Sequence, residues 1–177
     1  SMWIAGIPGV DSMMAYGVCL VPVGALSGVE RVAQIARDTR PKSIKCTVSF
    51  AQYLVKHMEE RTGIDPRTLG LEKVVVFGEP GGSIPEIYEP LEKGFGGAMV
   101  HDIMGATGCH SPTGISCEEH NGIHFYAEDN AMFEICDPGT LQSLPIGDGV
   151  EGEIVFTGLE RECGPLIGWR DKDIIQV

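Results

Sequence analysis

Up to residue 103, short apolar runs alternate with segments of helical periodicity, and this alternation restricts the fold more than any other feature. Residues 18–23 (V-C-L-V-P-V), 44–50, 73–77 (K-V-V-V-F) and 98–103 read as buried strands. Three Ser-x-x-Glu/Gln boxes stand between them: Ser27 with Glu30, Ser49 with Gln52, and Ser83 with Glu86. In such a box a hydroxyl and a carboxyl or amide satisfy each other's orphan backbone N–H groups, so each predicts a helix start. Val29, Val32, Ala33 and Ala36 then recur at helical spacing, as do Phe50, Leu54 and Met58, and Ile87 and Leu91. Pro41 and Gly63 are the expected stops, and Pro90 predicts a bend.

Strands joined by helices of this length predict an α/β fold, a mostly parallel sheet flanked by helices with right-handed crossovers. Ligands of such sheets bind beyond the carboxyl ends of the strands, where Gly78-Glu79-Pro80-Gly81-Gly82 and Gly105-Ala106-Thr107-Gly108 fall. After Gly108 the pattern changes. Residues 123–126, 132–136 and 152–157 are strand-like and separated by Asn121-Gly122, Asp137-Pro138-Gly139 and Gly147-Asp148-Gly149 turns. The expected organisation is an α/β subdomain over 1–107, followed by a smaller, antiparallel, β-rich lobe over 108–177 that is cut short at its C-terminus.

The formal net charge of −12 disfavours nucleic acid and anionic membranes as partners. Small phosphate-bearing ligands remain compatible, because backbone N–H groups can hold them. No apolar run is long enough for a membrane span, and no signal peptide is evident. Six cysteines without regular spacing predict reduced thiols and a cytoplasmic protein. Ser1-Met2 reads as a tag scar before a start methionine, which suggests an excised piece.

Residues 102–129 gather two cysteines, three histidines and four glycines. Cys117 and His124 flank a turn, with His120 between them, and zinc takes about four N or S ligands in tetrahedral array. Cys109, His110 or Cys163 are available to complete a set. The competing reading is a buried thiol beside a surface imidazole. No Ser-His-Asp or Cys-His nucleophile is persuasive, since the side chains of adjacent Cys109 and His110 point apart on a strand.

Seven short segments, in order, resemble the phenylacetate–coenzyme A ligase family of acyl-adenylate-forming enzymes. They are Val21-Pro22-Val23-Gly24, Gly63-Ile64-Asp65-Pro66-Arg67, Phe77-Gly78-Glu79-Pro80, Asp102-Ile103-Met104-Gly105, Glu134-Ile135-Cys136-Asp137-Pro138, Gly152-Glu153-Ile154-Val155-Phe156-Thr157 and Pro165-Leu166-Ile167. The resemblance implies ATP or AMP across the strand ends, with Gly78, Glu79 and Pro80 flanking adenine. It also implies Asp102 and Gly105 in the same loop system, Met104 in place of a stacking tyrosine, and Thr107 at the α-phosphate. Asp173 would accept from the ribose hydroxyls, and a carboxylic acid such as phenylacetate would pass through an acyl-adenylate to coenzyme A.

The departures are specific. Gly108 stands where the family's magnesium-coordinating glutamate belongs, so magnesium lacks its carboxylate and no catalytic residue is assigned. The family's phosphate loop and its lid lysine have no counterpart in these residues. The expectation is a fragment or degenerate relative of the ligase, inactive alone, or else a non-catalytic nucleotide-binding or interaction module. Its partners would be a small carboxylic acid and a nucleotide, with room for a homodimer.

Overall fold

The computed structural model describes residues 6–105, 112–160 and 162–177. The chain forms two compact units, one of residues up to 104 with 115–124, the other of 105–114 with 125–177.

In the first unit, α1 (Gly6–Ala15) leads to α2 (Gly28–Thr39), β1 (Ser43–Cys46), α3 (Val48–Thr62), β2 (Lys73–Phe77), α4 (Pro85–Gly94) and β3 (Met99–Met104). β1, β2 and β3 pair in parallel, with Ser43 opposite Lys73 and Lys73 opposite Met99. The short strands β4 (Gly114–Ser116) and β5 (Ile123–Phe125) extend the same sheet in the order β1-β2-β3-β4-β5. The expected α/β fold with parallel pairing is therefore present. Val29, Val32, Ala33 and Ala36 are buried, as their spacing predicts, and Leu54, Met58, Val74, Val76, Leu91, Phe95 and Val100 complete the core.

Three expectations fail here, the first being the strand over 44–50: β1 ends at Cys46 and α3 begins at Val48. Residues 18–23 form no strand, and Val18 and Val21 are exposed. Pro22 carries no N–H to donate to a ladder, and Gly24 adds chain freedom, so an apolar run alone does not make a strand. The three capping boxes also do not form. Ser27 lies in a 3-10 turn (Ala25–Ser27 leading into Gly28) with helical φ −73° and ψ −9°, not the extended geometry a capping hydroxyl needs. α3 is capped instead by Thr47, whose side chain accepts from Phe50 N. α4 starts with Pro85 as its first residue and has no side-chain cap.

The second unit is an antiparallel sheet ordered β7-β6-β8-β9, made of β6 (Ala131–Cys136), β7 (Ser143–Leu144), β8 (Glu151–Gly158) and β9 (Trp169–Gln176). β6 pairs with β8 along its whole length, and β8 pairs with β9 with a register irregularity between Glu153 and Val155. Ile135, Ile154 and Phe156 are its buried apolar centre. β9 was not foreseen in the sequence. Among the described residues, no helix is long and apolar enough to cross a membrane.

Candidate functional site

The carboxyl ends of β2 and β3 are where the sequence places ligand contacts, and two carboxylates meet serines there. Glu79 follows β2 in the loop 78–82. Its carboxylate accepts from Ser49 N and from Ser49 Oγ, both at 2.7 Å. Ser49 is the second residue of α3, so Glu79 sits at that helix's amino end, where a negative charge is favoured. Ser49, expected to cap its own helix with Gln52, is held by a carboxylate 30 residues away.

The second lock joins the same loop to β3. Ser83 Oγ donates to Asp102 Oδ2 at 3.1 Å, and Asp102 N donates to Ser116 Oγ at 2.9 Å. Gly82 is pressed between them, since a Cβ there would lie 2.4 Å from Val76 Cγ2 and 2.7 Å from Asp102 Cγ. Gly78, at φ +75°, turns the chain out of β2 in a conformation most residues avoid. The loop is thus pinned at both ends, by Glu79 to α3 and by Gly82 and Ser83 to β3.

Burial pushes the Asp102 carboxyl above its usual range, and the hydrogen bond from Ser83 pulls it part of the way back. The Cys46 thiol, at the end of β1, is raised to about 12 by burial and by the nearby Glu79 carboxylate, so it is no nucleophile at neutral pH. Chemically the strand ends offer hydrogen-bond acceptors on a fixed glycine-rich loop. Acceptors of this kind suit an exocyclic amine or hydroxyls better than a phosphate.

Of the remaining residues singled out in the sequence, Met104 ends β3 half-buried and Gly105 follows it, exposed. Thr107, Gly108, Cys109 and His110 lie outside the described residues. Asp173 lies in the second unit, exposed on β9, its carboxyl raised first by partial burial and then by the charge of Asp171.

The zinc expectation gains no support: among the described residues no three His, Cys, Asp or Glu side chains gather as a metal site, so Cys117, His120 and His124 do not form one by themselves, and Cys109 and His110 lie outside the described residues. Cys117 Sγ lies 3.5 Å from Asn121 Oδ1. His120 stacks on Tyr88 at 4.1 Å with an interplanar angle of 8°, and its Nε2 lies 3.3 Å from Glu92 Oε1. His124 is exposed on β5. Both partners of the middle histidine, the aromatic ring and the carboxylate, belong to α4. His101 is buried with Nδ1 3.1 Å from Ser116 O.

Sequence reasoning missed a buried ion pair of the second unit. Glu153, 2% exposed on β8, is gripped in a fork by Arg170 of β9, with Arg170 Nε at 2.9 Å from Oε1 and Nη2 bonded to Oε2. A glutamate between apolar neighbours in G-E-I-V-F was the available signal, because a buried carboxylate requires a cation.

The fold is similar to that of solved acyl–coenzyme A ligases. A 2-hydroxyisobutyryl–CoA ligase crystallised with 2-HIB-AMP and CoA superimposes with a TM-score of 0.75 at 28% identity, over 86% of this chain and 35% of that one. The same ligase in its thioesterification state gives 0.76 over 87% of this chain and 32% of that one. In sequence the chain is a relative of the phenylacetate–coenzyme A ligases. It is 34% identical to the Thermus thermophilus enzyme over 163 residues, 90% of this chain and 35% of that protein. The Pseudomonas putida enzyme is 32% identical over 91% of this chain and 35% of its own length. The chain therefore spans about a third of the length of the curated relatives it matches. No protein-family model matches it.

Proposed function

We propose that this chain carries the adenine-side segment of an AMP-forming acyl–coenzyme A ligase, with an aryl acid such as phenylacetate as the acid of the whole enzyme. The observation that carries this reading is the doubly pinned loop 78–82, held by Ser49 to Glu79 and by Ser83 to Asp102. It lies at the parallel strand ends, where nucleotides bind in such sheets. The same fold occurs in a ligase crystallised with an acyl-AMP and CoA.

In this reading Gly78, Glu79 and Pro80 flank the adenine, and Met104 covers it through a polarisable side chain. Thr107 would touch the α-phosphate, with Gly105 in the same loop, and Asp173 would accept from the ribose hydroxyls. Glu79 acts as a positioning residue, because both its carboxylate oxygens already hold Ser49. In the whole enzyme, ATP would supply the activating adenylate and coenzyme A the accepting thiol. The residues of this chain bind and orient the nucleotide and supply no nucleophile.

Gly108 favours a second reading, a nucleotide-binding module without chemistry, because the family resemblance implies a magnesium-coordinating glutamate at that position. Both readings make the 177-residue chain alone inactive in pyrophosphate exchange. Loss of one group that stabilises a transferring phosphoryl typically costs about 100-fold or more in rate. Calorimetric titration tests the shared claim. AMP and ATP should bind about equally, without magnesium dependence. ATP binding far more tightly than AMP only with magnesium would refute the adenine-side assignment, as would no binding of either.

A further inference from the structure

We propose that the first unit carries a second small-molecule site, for an amphipathic anion, at the amino ends of β1 and β2. This inference does not depend on the nucleotide reading. A cavity of about 720 Å³ opens there, bounded by the last turn of α2, the chain entering β1, and the turns between α3 and β2. That volume falls in the range of pockets that take drug-sized ligands.

The lining has two chemical halves. Ala36 and Leu69 are buried and Ile64 is half-buried, which gives an apolar floor. Arg37, Arg40 and Lys42 line the same cavity with three cations, in a chain whose net charge is −12. Asp65 also lines it, but its carboxylate is occupied by Arg67, whose Nε lies 2.9 Å from both oxygens. Arg37 and Lys42 have exposed carboxylate partners, Asp38 and Glu72, and such surface pairs are weak enough to yield to a ligand anion. Among the described residues Arg40 has no ion-pair partner.

Arg40 also sits where its backbone is unfavourable. It closes α2 in the left-handed region at φ 47° and ψ 58°, a position that favours glycine. One cation in the last turn already complements the helix C-terminus, and Arg37 supplies it. Helix capping therefore explains neither Arg40 at a strained position nor Lys42 beyond the helix. An apolar body on Ala36, Ile64 and Leu69, with a carboxylate or phosphate at the three cations, uses every part of this lining. The site lies before β1 and β2, whereas the Glu79 and Asp102 locks lie after β2 and on β3, so the two ligands should not compete.

The test is calorimetry on the 177-residue protein with sodium octanoate, octyl phosphate, octanol and inorganic phosphate. Octanoate and octyl phosphate should each bind about tenfold or more tightly than octanol or phosphate alone, and the tighter of the two identifies the head group. Arg40→Gly removes the cation and relieves the backbone, so its thermal midpoint should be equal or higher while octanoate affinity falls about three- to fivefold. Adding Lys42→Gln should bring the loss to about tenfold. Saturating AMP should leave octanoate binding unchanged. Equal binding of octanol and octanoate, unchanged affinity in the folded double variant, or competition by AMP would each overturn the proposal.

Discussion

Among the described residues each unit buries one carboxylate, and the two are treated in opposite ways. Glu153 in the β-rich unit meets the planar guanidinium of Arg170, and that fork holds its carboxyl below the usual range. Asp102 in the α/β unit meets only neutral donors, the Ser83 hydroxyl among them, and burial raises its carboxyl. A buried charge with a matched partner serves the fold. One at a strand end, held by hydroxyls beside a glycine loop, carries a cost that packing alone does not explain. The comparison separates a structural carboxylate from a candidate binding one without reference to any relative.

The sharpest way to break it is to remove the cation. Arg170→Met should lower the thermal midpoint by on the order of 5 °C or more, because Glu153 would be left buried without its guanidinium, keeping only the weaker support of Lys172. The sign with pH follows from the lowered carboxyl. The pair's contribution is present above the ordinary glutamate range and is lost as pH falls through the depressed folded value. The gap between wild type and variant should therefore be widest at neutral pH and close in acid. Thermal melts at a series of pH values measure this, and a gap that widens in acid would reverse the assignment.

Gly82→Ala attacks the other side of the comparison. The new methyl would enter the space of Val76 and Asp102, and overpacking of this kind costs about 1–3 kcal/mol. Gly78→Ala meets no atom within 4 Å and strains only the backbone, at roughly 1 kcal/mol. Urea denaturation should rank them in that order. AMP affinity should fall in both if the loop positions the nucleotide. Glu79→Gln should have a smaller effect, a few-fold loss of AMP affinity with little change in stability, since an amide can still accept from Ser49 through one oxygen.

Local pattern made part of this legible. β2 and β3 follow from apolar runs between helical segments, and the buried face of α2 follows from spacing alone. The polar locks were hidden because their partners are distant in the chain. Ser49 and Ser83 each sit in a capping-box pattern, yet residues 30 and 19 positions away claim their hydroxyls. Arg170 meets Glu153 across strands whose register shifts, and Lys172 at φ 67° breaks the alternation of β9. No period of two announces that strand. His120 stands between Cys117 and His124 in the sequence, while its ring stacks on Tyr88 of α4, a partner 32 residues away.

The smallest expected effect is the most discriminating. Asp102→Asn keeps the shape and an acceptor for the Ser83 hydroxyl while removing the charge. A carboxyl raised above its unfolded value favours the fold in its protonated form. That contribution is fully present below the ordinary aspartate range and is lost as pH rises through the folded value. Burial therefore disfavours the Asp102 carboxylate relative to a neutral side chain, and the asparagine should be equal or more stable at neutral pH. The difference should shrink in acid, where both side chains are neutral. AMP affinity should fall in the same variant at neutral pH, because a charged acceptor bonds an amine or hydroxyl more strongly than an amide oxygen does. Stability rising while affinity falls would mark Asp102 as kept for binding. A variant less stable than wild type by more than about 1 kcal/mol at neutral pH would place Asp102 beside Glu153, as a carboxylate that serves the fold.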